Sequence, residues 1–185
     1  EVSTELAKAF KKRGVQILTG HKVQSVQATE TGVQVVVSAD GQETTLEADQ
    51  ALMAIGFKPN SLNLGLEEVG VELNERKFVK INEKMQTNVP NIYAIGDVTG
   101  QLLLAHVASA MGIVAAETIA GVETVTLDYR MMPRATYCQP QVASFGYTEA
   151  QAKEAGFELK IGRFPFMPNG KALGLGEATG FVKIL

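Results

Sequence analysis

Asn91-Ile92-Tyr93-Ala94-Ile95-Gly96-Asp97 is the stretch on which the reading of this chain turns. Ile92 to Ile95 is short, apolar and partly β-branched, bounded by Pro90 upstream and Gly96 downstream. That pattern predicts a strand covered on both faces. Asp97 would then leave the strand at its carboxyl end, where an open α/β sheet holds a cofactor. Gly96 has no Cβ, so backbone there can lie close to a ligand, and a short ionised carboxylate beside it suits a sugar-like hydroxyl better than a phosphate. Taken as a dipeptide, Gly96-Asp97 also fits a helix cap or an ordinary turn. The apolar strand before it and the helix after it favour an anchor for a polyol.

Downstream, Val98-Thr99-Gly100-Gln101 is a loop into a helix predicted to start near Leu103, whose first free N–H groups would point toward whatever Asp97 holds. The weakly polar run from Leu102 to Ala120 carries His106 and Glu117 and is rich in alanine, which suits a buried amphipathic helix and not a membrane span. A histidine in the first turns of such a helix is usually structural.

Upstream, Leu6, Ala9 and Phe10 share one face of a helix predicted over Val2 to Arg13, ended by Gly14. Val15 to Leu18 reads as a strand. Lys22 to Ala28 and Val33 to Ser38 read as a hairpin, Asp40-Gly41 turns into Glu43 to Ala48, and Leu52 to Ile55 reads as a further strand ended by Gly56. Beyond Gly121 the pattern becomes α+β. Arg134 to Tyr137 and Val142 to Tyr147 are strand-like, Thr148-Glu149-Ala150-Gln151 is a capping box for a short helix, and strands are predicted around Leu159 to Phe164 and Phe181 to Leu185. Three segments result: residues 1–56, 57–121 and 122–185.

With 185 residues the chain can bury one good core or parts of two, and 45% hydrophobic with 20% charged residues is ordinary for a globular protein. A net charge of −3 argues against a nucleic-acid partner, which needs clustered Lys and Arg. Lys11-Lys12-Arg13 is the one basic run and complements the dipole at a helix end. Cys138 is the only cysteine, so no thiol exchange within the chain is possible, and it reads as a small buried hydrophobe. Neither histidine stands at metal-ligand spacing, and no metal site is expected. Gly174-Leu175-Gly176-Glu177-Ala178-Thr179-Gly180 imitates a dinucleotide fingerprint but is followed by strand-like Phe181 to Ile184, so a hairpin turn is expected there.

Thr87 with Val89 to Asp97 resembles the second FAD motif of the pyridine nucleotide-disulphide oxidoreductases, in which the aspartate binds the ribitol chain of the flavin. Asp49 to Asn60 is similar to the strand and turn that close that family's NAD domain. Pro133 to Gly156 and Phe164 to Leu185 look like the start of its dimerisation domain. Leu103-Leu104-Ala105-His106 and Gly180 to Ile184 look most like the dihydrolipoamide dehydrogenase branch.

The resemblance implies an α/β fold with partial Rossmann-like FAD- and NAD-binding domains, followed by part of an α+β dimerisation domain. It implies two cofactors. FAD would be held by Gly96 and Asp97, with Leu103, Leu104, Ala105 and His106 against its ring. NAD would approach the backbone at Gly56, with Val23 lining its adenine end; here Phe57-Lys58 stand where many relatives place an arginine after that glycine.

The implied enzyme is cytoplasmic and homodimeric. It passes electrons from a dithiol, lipoamide carried on an acyltransferase subunit of a 2-oxo acid dehydrogenase complex, through flavin to NAD. Mercuric reductase, glutathione reductase and soluble transhydrogenase share much of the pattern. A dimerisation or assembly module is the alternative from another class. The chain lacks the family's redox cysteine pair and first dinucleotide turn and begins at Glu1, so it reads as a fragment without catalytic residues of its own.

Overall fold

The computed structural model describes all residues from Glu1 to Leu185. They form two compact units: Glu1–Gly56 with Met167–Gly180, and Phe57–Phe166 with Phe181–Leu185.

The first unit opens with α1, Val2–Lys12, which carries Glu5 in its first turn and Lys11 and Lys12 in its last. This is the charge order that the helix dipole favours. A three-stranded antiparallel meander follows, β1 (Lys22–Ala28), β2 (Val33–Ala39) and β3 (Gln42–Ala48), in that spatial order. Val37 on central β2 is buried and stands opposite Val23 on β1 and Thr44 on β3. The ladder between β1 and β2 is interrupted by a bulge between Val23 and Ser25.

The second unit holds the main core. α2, Ala105–Ala120, buries Val107, Met111, Val114 and Ala115, the i, i+4, i+7, i+8 face that helical periodicity prescribes. Met85 completes the cluster, with Ile81, Tyr93, Leu102 and Leu104 packed around it. Full burial of each of these larger side chains stabilises the fold by roughly 1.5–3 kcal/mol.

Met85 arrives on the second of two matching loops. In the first, the Asn74 side-chain oxygen accepts from the N–H groups of Arg76 (2.9 Å) and Phe78 (3.0 Å), and in the second that of Asn82 accepts from Lys84 (2.9 Å) and Gln86 (3.0 Å). Lys77 and Met85 occupy the equivalent left-handed positions, at φ 68° and 64°. Asn-Glu opens both loops because a short amide can satisfy two backbone donors that a tight turn leaves open.

The rest of this unit is antiparallel. β4 (Arg134–Thr136) pairs with β5 (Val142–Ser144), and β6 (Gly162–Pro165) with β7 (Phe181–Ile184). Between them α3, Glu149–Glu154, starts with the expected capping box of Thr148 and Gln151. Glu149 ties α3 to β7: its carboxylate receives Lys153 at 2.5 Å and Lys183 at 2.6 Å, and these hydrogen bonds hold its pKa down at about 2. No helix is long and apolar enough to cross a membrane.

Four expectations need correction. Val15 to Leu18, Leu52 to Ile55 and Ile92 to Ile95 join no ladder. An apolar β-branched run dictates extended backbone, but a strand also needs a hydrogen-bonding neighbour, and none of the three has one here beyond the isolated bridge of Tyr93 with Gln86. Instead of being covered on both faces, Ile92, Tyr93 and Ala94 are half-buried and Ile95 is 42% exposed. Finally, Gly174 to Gly180 lies, as expected, in the connection between two antiparallel partners, β6 and β7, but that connection is longer than a tight turn and holds a helix. Gly170–Gly174 forms a short helix, α4, capped by the Asn169 side chain, and the chain returns to β7 from there.

Candidate functional site

The site is assembled from the bottom by a 3₁₀ turn. Ile95 is extended (φ −134°, ψ 161°), and the chain then tightens at once into Gly96–Thr99, closed by Gly100 in the left-handed region. Asp97 therefore sits one residue inside a helical turn, not at the end of a ladder strand. The Thr99 hydroxyl donates to the Gly96 carbonyl at 2.7 Å, and the Gly100 N–H to the Asp97 carbonyl at 3.0 Å. With Gly96 and Thr99 buried, the backbone of the turn is fixed while the Asp97 side chain stays exposed.

Two features favour glycine at position 96. Its φ of 74° is one that side-chain-bearing residues rarely adopt, and a Cβ there would stand 3.3 Å from the Ala108 Cβ on α2. The missing side chain lets the turn seat directly on the helix. Thr87 supports the approach to the turn: its hydroxyl donates to the Ile92 carbonyl at 2.9 Å, and its N–H reaches the same oxygen at 2.9 Å.

α2 begins at Ala105, with Leu104 as an extended N-cap that offers no side-chain hydrogen bond. Leu103 and Leu104 thus precede the helix, where both are half-buried, and Ala105 and His106 form its first turn. An apolar cap leaves the first amides of the helix open to a ligand, and no acidic side chain of the helix's own first turn offsets their partial positive charge. His106 itself is committed elsewhere: its Nε2–H donates to the Pro133 carbonyl at 2.9 Å, tying the helix start to the following loop. Only its backbone amide remains for the site.

The structure thus gathers Gly96, Asp97, Leu103, Leu104, Ala105 and His106 around one turn and one helix start. An exposed carboxylate acceptor beside uncapped helix amides fits a ligand that carries both hydroxyls and negative charge. The two remaining predicted residues belong to the first unit. Val23 lies on edge strand β1, 55% exposed. Gly56, at φ 120° and with no atom within 4 Å of where a Cβ would stand, ends the exposed run Leu52 to Ile55. Two shallow hollows, about 380 Å³ along α1 and about 320 Å³ around Arg130, Arg134 and Tyr147, are lined by no residue of the Asp97 turn or of α2. No group of three or more His, Cys, Asp and Glu side chains is gathered for a metal. Sequence reasoning passed over Phe78, whose ring lies directly beneath the turn at Gly100; a contact between residues 22 apart leaves no local pattern to find it by.

Comparison with known proteins gives the family. Residues 1–112 match the pyridine nucleotide-disulphide oxidoreductase family, and residues 132–185 match the dimerisation domain of the same family. An α/β cofactor-binding portion followed by an α+β dimerisation portion is the class these matches define, and the chain belongs to the pyridine nucleotide-disulphide oxidoreductases.

Among individual proteins, it is 58% identical to a dihydrolipoyl dehydrogenase of Mycobacterium leprae, over all of this chain and 40% of that protein. It is 44% identical to one of Bacillus subtilis, over all of this chain and 39% of that protein. The chain therefore spans about 40% of the length of the curated relatives it matches. Among solved structures it resembles LpdA of Mycobacterium tuberculosis, with TM-score 0.87 and 32% identity over 97% of this chain and 38% of that one. It also resembles the HOCl-induced flavoprotein disulfide reductase RclA of Escherichia coli, with TM-score 0.87 and 25% identity over 98% of this chain and 41% of that one.

Proposed function

We propose that these residues belong to a dihydrolipoamide dehydrogenase and that the Asp97 turn is its anchor for FAD. The observation that carries the reading is an exposed carboxylate on a backbone-locked turn, set against the uncapped start of α2. Identity of 58% along the whole chain to a dihydrolipoyl dehydrogenase supports the choice within the family. When bound, FAD supplies two-electron transfer between a dithiol and NAD.

The chain's own residues bind and orient. Asp97 accepts from a ribitol hydroxyl, Gly96 keeps the turn close to α2, and Leu103, Leu104 and Ala105 provide the apolar edge and the first amides for the ring. The positive end of α2 favours negative charge there by roughly 0.3–2 kcal/mol. Gly56 and Val23 are assigned to the NAD side. Residues 1–56, 57–121 and 122–185 are then parts of the NAD-binding, FAD-binding and dimerisation domains. The enzyme would be a cytoplasmic homodimer acting on lipoamide held by an acyltransferase of a 2-oxo acid dehydrogenase complex.

In the full-length protein, Asp97→Ala should weaken FAD binding by about 1.5–3 kcal/mol, the worth of a charge-assisted hydrogen bond. Titration of the apoprotein with FAD measures this, and unchanged affinity would count against the anchor. Steady-state assays with dihydrolipoamide and NAD, beside Hg(II) and glutathione disulphide with NADPH, test the substrate. Preference for either of the latter two would move the assignment to another branch.

A further inference from the structure

Phe78 takes no part in the site as described, yet it is buried to 5% exposure and its ring lies directly under Gly100. A Cβ on Gly100 would stand 2.6 Å from the Phe78 Cγ and 2.8 and 2.9 Å from its two Cδ atoms, closer than real Cβ contacts come. Gly100 is the residue that ends the Asp97 turn, at φ 69° and ψ 15°, and its N–H is bonded to the Asp97 carbonyl.

The ring cannot easily move away. Its own N–H is held by the Asn74 side chain at 3.0 Å. The carbonyl of the preceding Lys77 accepts from the buried Ser61 hydroxyl at 2.6 Å. The next N–H, of Val79, donates at 2.9 Å to the carbonyl of Val98, the residue after Asp97. The Arg76 guanidinium lies 5.5 Å from the ring centroid. Phe78 is thus fixed from the Asn74 loop and pressed against the exit of the turn, while Val79 grips the middle of it.

We propose that Phe78 is a positioning residue for flavin binding: its ring seats Gly100 and so sets the direction in which the turn presents Asp97. The proposal rests on the FAD reading of Asp97. Packed ring and bare glycine are mutually necessary, since the space one occupies is the space the other leaves open. Leucine at position 78 would keep Cγ and both Cδ atoms and hence the contact, whereas alanine would remove it.

The test is FAD titration of the full-length apoprotein, with hydrogen exchange at the Gly100 amide followed in parallel. Phe78→Ala and Gly100→Ala should each raise the Kd for FAD about tenfold, within the range of couplings between touching residues. Phe78→Leu should stay within about twofold of the parent protein. The Phe78→Ala/Gly100→Ala double variant should bind no more weakly than Gly100→Ala alone, because it removes the ring that the added methyl meets. The Gly100 amide should exchange faster in Phe78→Ala, with α2 amides unchanged. Weakened binding in Asp97→Ala beside parental binding in Phe78→Ala would overturn the positioning role alone, as would losses that multiply in the double variant. Parental binding in Asp97→Ala would overturn the FAD reading, and with it the purpose assigned to Phe78.

Discussion

The Asp97 turn and the run from Leu52 to Phe57 have similar sequences, an apolar β-branched stretch ending in glycine, and opposite surroundings. Around Asp97 the neighbours come from within the same unit: Ala94 N–H reaches the Met85 carbonyl, Val79 N–H reaches Val98, and Gly96 seats on α2. Around Gly56 there are none. Leu52 is 90% and Ile55 89% exposed. The same local code therefore yields a turn with a fixed backbone in one place and an exposed segment in the other. What separates them is whether later residues fold back as a cover, which the two Asn-anchored loops and α2 do for the turn.

Substitutions that remove packing should divide the two regions most sharply. In the 185-residue chain, Met111→Ala should cost about 2–5 kcal/mol, whereas Leu52→Ala should fall within about 0.5 kcal/mol of the parent chain. Denaturant titration decides it, and equal costs would erase the contrast. If Leu52→Ala becomes costly in the full-length protein, the segment has gained a cover there. Gly96→Val comes next. Its left-handed backbone adds about 1–2 kcal/mol, and the crowding against Ala108 adds to that. Thermal unfolding should drop accordingly.

Smaller effects lie in the α+β portion. Thr148→Ala removes half of the capping box of α3 and should destabilise by about 1 kcal/mol, read from the denaturation midpoint. Glu149 has its pKa lowered from 4.5 to about 2 by Lys153 and Lys183, so its ion pairs contribute fully above pH 4.5 and are lost as pH falls toward 2. Stability should fall through that window, and Glu149→Gln should flatten this part of the profile. A profile unchanged by the substitution would mean the pairs are spent in solvent.

Much of this was legible in the residues. α1, the three-stranded meander, the buried face of α2 and the capping box at Thr148 are local patterns, and the structure realises each. The three missing strands were not legible, because a short apolar run favours extended backbone but says nothing of whether a hydrogen-bonding neighbour is present. The α4 helix was hidden by its glycines, which suggested a turn, although Asn169 was a sufficient cap. Gly96 and Asp97 stood out in sequence only through the apolar run before them and the helix after them, since the dipeptide alone also fits a cap or a turn. Phe78 could not. Its role comes from a contact with Gly100, a residue distant in sequence, and an isolated phenylalanine looks like any other core residue.

The most direct test is the position of the Asp97 carboxylate in a crystal structure of the full-length protein with FAD. The account predicts an oxygen of that carboxylate about 2.5–3.0 Å from a ribitol hydroxyl, with the amides of Ala105 and His106 facing the flavin. A carboxylate turned to bulk solvent, with the flavin bound elsewhere, would contradict it.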